Sequence, residues 1–373
     1  MAFQKIALTM AAASCLLLAG CGEDTTTDKK AEKAVASTEP LKAAWVYPSP
    51  RADEGWSKQH EEARMLIEQK YGDKIRTQVV DNVTNTVDAE RVIRDLAAQG
   101  NKIIFATSFT YMNPALKVAK EFPDVKFENC TGYKTAANYS NYNARFYQAR
   151  YLAGKLAASM SKTAHLGYVA AMPIPEVLQG INAYTLGAQS VNPDVKVSVV
   201  WTNTWYDPGK EVDATNTLIG QGCDILTHHT DSTAVPATAE SRGVKVISYH
   251  SAMTKTAPKQ LIGAVTHHWD EYYAHRIQAL YDGKWKVEPV WGGAELHMVR
   301  LSAITPDVPK SVVEDINAVY SKMEKKEFNV FSGPIVDNEG KVQIPEGKVA
   351  DDKMLNTMNY FVKGVIGKVP TGK

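Results

Sequence analysis

Cysteine is scarce, four in 373 residues. Cys15 and Cys21 fall in the first apolar stretch, which leaves Cys130 and Cys223 for the body and at most one disulfide. Charge of a single sign is also missing. Forty-two Lys and Arg face 41 Asp and Glu, for a net charge of +1. No basic run of the kind that tracks phosphates occurs, so nucleic acid is not an expected partner. After residue 21 no apolar segment approaches the length of a transmembrane helix. Motifs of catalysis are absent as well: there is no Gly-x-Ser-x-Gly elbow, Walker loop, dinucleotide fingerprint or His-Glu-x-x-His helix. No enzymatic activity and no cofactor are expected. The first strand-to-helix turn, residues 48–55 (PSPRADEG), lacks a glycine-rich cradle, which disfavours an anionic phosphate ligand.

What is present begins with a targeting pattern. Lys5 supplies a positive n-region and Ile6 to Leu18 an apolar h-region too short for a permanent span, so residues 1–21 read as a cleaved signal. Leu17-Leu18-Ala19-Gly20-Cys21 resembles the bacterial lipobox, in which the cysteine is acylated and becomes the first residue of the mature chain. An ordinary secretory signal with an accidental cysteine is the alternative, but a lipobox specifies more positions. Residues 22–40 carry almost nothing large and apolar, too little to offset chain entropy, and read as a disordered tether. The expected protein is extracytoplasmic and anchored to the membrane by lipid on Cys21.

The body alternates strand and helix twice. Strands are expected at 42–47, 75–80, 102–107 and 125–129, then at 165–170, 195–201, 224–228 and 244–249. Helices are expected at 55–70, at 88–99 with Asp88 as cap and Gly100 as stop, from Asn113-Pro114, and near 176–189, 209–221 and 233–242. Between the halves, Phe146, Ala149, Ala153, Leu156 and Met160 form the buried stripe of a helix over 143–160. This pattern predicts an α/β protein of two doubly wound, Rossmann-like lobes with parallel sheets covered on both faces. Cys130 and Cys223 then fall in different lobes, as separate and mostly buried thiols.

Ligands of open parallel sheets sit beyond the carboxyl ends of the strands. Those ends hold Tyr47 and Trp56, then Ser108, Phe109 and Tyr111, then Trp201, Trp205 and Tyr206. His228 to Asp231, His250 and Ser251 follow, with His267, His268 and Trp269 later. Aromatic faces on opposing lobes suit a flat heteroaromatic ligand whose edge is read by carboxylates, amides and imidazoles. Trp56 also suits the inner face of its helix, and Asp231 suits the cap of the helix near 233. Adjacent histidines in extended chain point to opposite sides, so each His-His pair offers at most one group to a cleft. His229, His250, His268 and Asp231 together lack the spacing of a dedicated zinc site, and no metal is expected.

Several segments resemble the basic membrane protein family: the lipobox, DEGWSKQHE (53–61), YQARYLAGKLAA (147–158), NTWYDPGKE (203–211), GCDILTHHTDS (222–232) and FSGPIVDNEGK (331–341). The resemblance runs from about residue 41 to the C-terminus. It implies a lipid-anchored, monomeric solute-binding protein of the type I periplasmic-binding fold, working with the permease of an ABC importer. It further implies lobes of 41–142 with 266–288 and 143–265 with 289–373, joined by a three-crossing hinge near Asn143, Thr266 and Glu288. By position Trp56 and Trp205 match stacking aromatics, and Asp231 a polar ligand contact. His250 stands where relatives often carry Asp or Asn, Ala252 where many carry Asp, and Trp269 near a lysine of nucleoside receptors. These departures remove carboxylates suited to ribose and favour a purine base, of adenine or hypoxanthine type, over a nucleoside. The expected ligand-binding set is Tyr47, Trp56, Ser108, Phe109, Trp205, Asp231, His250, His268 and Trp269. A sensor passing its closed state to a membrane kinase or chemoreceptor, and an enzyme acting on nucleosides, are the competing readings.

Overall fold

The computed structural model describes residues 39–52 and 54–370. The signal, the lipobox with Cys21 and most of the tether therefore lie outside the described residues. From Leu41 the chain runs β1 (Leu41–Val46), α1 (Trp56–Tyr71), β2 (Ile75–Val80), α2 (Thr86–Ala98), β3 (Ile103–Ala106), α3 (Met112–Glu121), β4 (Lys126–Cys130) and β5 (Tyr139–Ala144). It continues with α4 (Phe146–Met160), β6 (His165–Ala170), α5 (Pro175–Gln189), β7 (Lys196–Trp201), α6 (Pro208–Gly220), β8 (Ile225–His229), α7 (Ala234–Arg242), β9 (Lys245–His250) and β10 (Leu261–His267). Then come α8 (Asp270–Tyr281), β11 (Val290–Gly292), β12 (Val299–Ser302), α9 (Lys310–Glu324), β13 (Ile335–Val336), β14 (Val342–Ile344), α10 (Asp352–Asn356) and β15 (Val365–Ile366). None of these helices is long and apolar enough to cross a membrane.

The strands form two main sheets, ordered β2-β1-β3-β4-β5-β11 and β15-β7-β6-β8-β9-β10-β12. Every pairing in them is parallel except β10 with β12. Central strands such as β3 (IIFA) and β8 (ILTHH) are buried along their whole length because helices cover both faces. The period-2 alternation of a strand sorts the residues of β1. Ala43 and Trp45 pack with α1 and α8, while Ala44 and Val46 pack with α2 and α3. Trp45 stacks on Phe105 with ring centroids 4.7 Å apart and meets Tyr273 of α8 edge-on. In the second sheet α4 and α5 take one face, and α6 and α7 the other.

Chain topology sets the lobe boundaries. The chain leaves the first sheet after Ala144 and the second after His267, and it leaves the first again after Gly292. The third passage comes later than the expected Glu288, because β11 pairs with β5 through Val290, Trp291 and Gly292 before the chain crosses. The cap of α2 also differs from expectation. Asn85, not Asp88, is the N-cap: its Oδ1 accepts the backbone N–H of Asp88 at 2.9 Å. Cys130 and Cys223 are both buried free thiols.

One buried ion pair fastens α8, the helix that returns to the first lobe. Glu128 of β4 and Arg276 of α8 are 0 % and 1 % exposed. Arg276 Nε donates to Glu128 Oε1 at 2.6 Å, Trp285 Nε1 to the same oxygen at 2.7 Å, and the Tyr272 hydroxyl to Oε2 at 2.8 Å. Burial still pushes the Glu128 carboxyl above its usual range, although Arg276 pulls the other way. Removing one partner of such a pair strands the other in a dry interior. Glu128→Ala is therefore expected to destabilise the folded protein by about 3–5 kcal/mol in urea titration, and Glu128→Gln by less.

Candidate functional site

The carboxyl ends of both sheets open onto one cavity. Pro48 follows β1, Trp56 begins α1, Ser108 and Phe109 follow β3, and Thr131 follows β4. From the second sheet come Glu176 in the first turn of α5, Trp205 after β7, His229 at the end of β8, Asp231 just beyond it and His250 at the end of β9. Empty space among these side chains comes to about 340 Å³, open solvent at the mouth included.

Hydrogen bonds to the backbone position these loops. Trp56 Nε1 donates to Thr107 O at 2.6 Å, holding the indole against the end of β3. Asn129 Nδ2 donates to Ala106 O and to Ser108 O, both at 2.9 Å, which fixes the turn that carries Ser108 and Phe109. Across the cavity the buried carboxylate of Glu211 accepts the hydroxyls of Thr230 and Ser232 at 2.7 Å each. Between those two residues, the Asp231 N–H donates to Trp205 O at 2.8 Å. Two lining residues, Thr131 and His250, have φ of 63° and 74°. Side chains with a Cβ rarely occupy that region, at a cost of about 1–3 kcal/mol each, and such strain gathers at binding sites.

Burial governs the charges. It pushes Asp231 well above the usual carboxylate range, with Glu211 and Glu176 adding like-charge repulsion. Glu176 is pushed up to about 7 by burial, opposed by a hydrogen bond from Asn143. His229 is held well below its ordinary value by burial first, with Arg150 reinforcing it. His250 is held down in the same way, by burial first and then by the neighbouring histidines and Arg150. The Arg150 guanidinium is fully buried, lies 3.5 Å from the centroid of the Tyr249 ring, and donates to Thr227 Oγ1 at 3.0 Å and His228 O at 2.6 Å. The imidazoles are thus neutral near pH 7, and among the described residues no Lys or Arg lines the cavity. His250 Nε2 comes within 3.2 Å of Asp231 Oδ1 without the alignment of a hydrogen bond. Among the described residues, both ring nitrogens of His250 and Nδ1 of His229 are buried without a partner. Nor do any three His, Cys, Asp or Glu of the described residues group as a metal ion requires.

Six of the nine residues expected from the sequence line this cavity: Trp56, Ser108, Phe109, Trp205, Asp231 and His250. Asp231 does not cap α7, whose N-cap is Thr233. Tyr47, His268 and Trp269 stand outside the lining. The Tyr47 hydroxyl donates to Glu61 Oε2 at 3.1 Å, in a fully buried position against His60. Trp269 stacks on His60 at 5.0 Å and meets the edge of Trp56 at 5.8 Å, so it backs the lining rather than forming it. His268 turns aside to Thr266 Oγ1 at 3.1 Å, because the alternation of β10 gives the inward face to His267. His267 packs 4.5 Å from Phe146 and edge-on to His250. The same alternation separates His229, at the cavity, from His228, whose Nε2 accepts Tyr249 N–H at 3.2 Å. Pro48, Glu176 and His229 lie in strand-end stretches but outside the expected set, and Thr131 lies outside those stretches too. Their common signal is position at or beyond the carboxyl end of a strand.

The lobes meet closely at the rim of the cavity. A Cβ on Gly55, which precedes α1, would lie 2.1 Å from Asp231 O on the other lobe. Beside it, Thr256 Oγ1 donates to Glu54 Oε2 at 2.9 Å. Gly55 has φ −156°, an extended conformation open to any residue, so only the approach of the lobes requires glycine. Gly55→Ala is expected to leave the melting temperature within a few degrees of the parent while weakening ligand binding at least tenfold in calorimetry, because the closed form cannot be reached.

Comparison with known proteins agrees with this architecture. Residues 41–337 match the Bmp family, described as ABC transporter substrate-binding protein PnrA-like. A purine-binding protein of Brucella abortus is 48% identical over 339 residues, covering 90% of this chain and 96% of its own. A protein of Haloferax volcanii that carries the name putative ABC transporter glucose-binding protein is 35% identical, over 89% of this chain and 82% of its own. Among solved structures, a solute-binding protein from Conexibacter woesei superposes with a TM-score of 0.64 at 22% identity, over 78% of this chain and 98% of that one. One from Aeropyrum pernix reaches 0.66 at 17% identity, over 77% and 92%. At such identities these two speak for the fold alone, that of periplasmic solute-binding proteins. With a family match over most of its length and a relative nearly half identical along nearly all of it, the chain belongs to the Bmp family of ABC transporter substrate-binding proteins.

Proposed function

We propose that this protein is the extracytoplasmic receptor of an ABC importer, held to the membrane by a lipid on Cys21, and that it carries a free purine base of adenine or hypoxanthine type in the cavity between its lobes. The observation that carries the reading is the make-up of that cavity. Two tryptophans from different lobes, Trp56 and Trp205, stand with two carboxyl groups, with imidazole nitrogens that lack partners, and without any lysine or arginine among the described residues. Flat π-faces bind a flat heterocycle by burial and stacking, and the polar groups bind its N–H and lone-pair edge. An anionic ligand finds no countercharge there. The Brucella relative's name points the same way. The protein performs no chemistry in this reading: it closes on its ligand and offers the closed form to a permease.

Glucose is the second reading, favoured by the name of the Haloferax relative and by the capacity of carboxylates to accept sugar hydroxyls. Calorimetry at neutral pH with adenine, hypoxanthine, adenosine, inosine and glucose separates the possibilities. The bases are expected to bind at least tenfold more tightly than the nucleosides, and glucose not at all. Trp205→Ala is expected to weaken base binding by about 1–3 kcal/mol through lost burial and stacking. Equal or tighter binding of nucleosides would point to a nucleoside receptor, and binding of glucose alone to a sugar receptor.

A further inference from the structure

The first turn of α5 brings into the cavity a carboxyl group that strand-end aromatics would not have suggested. Glu176 divides its two oxygens. Oε2 accepts Asn143 Nδ2 at 2.9 Å, and Asn143 belongs to β5 of the other lobe, next to the first passage between sheets. Asn143 is itself oriented, since its Oδ1 accepts Ala144 N–H at 2.7 Å. Oε1 has no hydrogen-bond partner among the described residues. His229 Nε2 lies 3.8 Å away, beyond hydrogen-bond reach. The side chain is 17% exposed and lines the cavity. One oxygen is therefore committed to the hinge and the other is free for a ligand.

We infer that Glu176 is a specificity-determining residue of the cavity, accepting through Oε1 a hydrogen bond from an N–H on the edge of the bound heterocycle. The inference rests on the reading of the cavity as a base site and adds to it the sense of one hydrogen bond. A second carboxyl, Asp231, lines the same space and is held towards its protonated form by burial and by Glu211 and Glu176, which leaves Glu176 as the acceptor of the two. A ligand that brings an N–H donor to this side meets the lone pairs of Oε1, whereas one that brings only lone pairs is repelled by them. The selected class is thus neutral or cationic heterocycles with N–H groups on their edge. Rings whose N–H positions are alkylated fall outside it, because a buried acceptor left without its donor is costly.

Gln in place of Glu176 tests the sense of that bond. The amide oxygen still accepts from Asn143, so the NH₂ turns to the cavity and a donor stands where an acceptor was. Calorimetry would compare wild type and Glu176→Gln with adenine, N6-methyladenine, 7-methyladenine and 9-methyladenine, each methyl blocking or crowding one N–H. Wild type is expected to bind at least one methylated base tenfold or more weakly than adenine. Glu176→Gln, folded by circular dichroism and thermal melting, is expected to bind adenine at least tenfold more weakly than wild type. Its penalty for that same methylated base should shrink to about threefold or less. An affinity for adenine too weak to measure in the folded variant supports the assignment equally. Adenine affinity within twofold of wild type, or methylation penalties unchanged by the substitution, would overturn it. A wild-type protein that binds no base overturns the underlying function reading instead, whatever the variant does.

Discussion

A parallel sheet collects its strand-to-helix turns at one edge, and two such sheets joined at a hinge must bring those edges face to face for a cavity to exist. Passages after Ala144, His267 and Gly292 impose that arrangement. Most of the site follows from it. Turns after β1, β3 and β4 supply one wall, those after β6, β7, β8 and β9 the other, and no single element holds the site alone. The close approach of Gly55 to Asp231 O shows how little clearance remains once the lobes have met.

Dryness then decides the electrostatics. The same burial that raises Asp231 and Glu176 lowers His229 and His250, so acids and bases are both driven towards their neutral forms. Buried Arg150 strengthens the effect on the imidazoles, and its packing on Tyr249 places that charge behind the cavity, not in it. Asp231 and the imidazoles thereby offer hydrogen bonds without charge, while Glu176, pushed up only to about 7, stays partly ionised at neutral pH and able to accept. Substrate-binding proteins must also release what they bind. Polar groups that no protein partner satisfies give a ligand a direct part in stabilising closure, so closure and binding rise and fall together.

The architecture is legible in the sequence because period and punctuation agree along it. Alternating apolar strands and amphipathic helices mark eight strands of the two sheets, β1 to β4 and β6 to β9, and leave β5, β10, β11, β12 and β15 unmarked. Three of the family segments reach the cavity: DEGWSKQHE holds Trp56, NTWYDPGKE holds Trp205, and GCDILTHHTDS holds His229 and Asp231. Other features depend on geometry that no local pattern encodes. The inward member of His267-His268 is set by the register of β10 against β12. Trp269 stands behind Trp56 because it stacks on His60, a residue of α1 far earlier in the chain. Glu176 resembles any acidic residue in a first helical turn until Asn143, from the other lobe, takes one of its oxygens. Thr131 follows a strand whose connection to β5 contains no helix, so strand-helix alternation does not mark it.

The central claim is that this cavity closes on a flat base between the two lobes. A crystal structure of the protein grown with adenine tests it most directly. The account predicts density for one planar, two-ring molecule among Trp56, Trp205, Glu176 and Asp231, with its plane against at least one of the indoles. Adenine bound elsewhere on the protein, or this cavity empty in crystals containing saturating adenine, would contradict it.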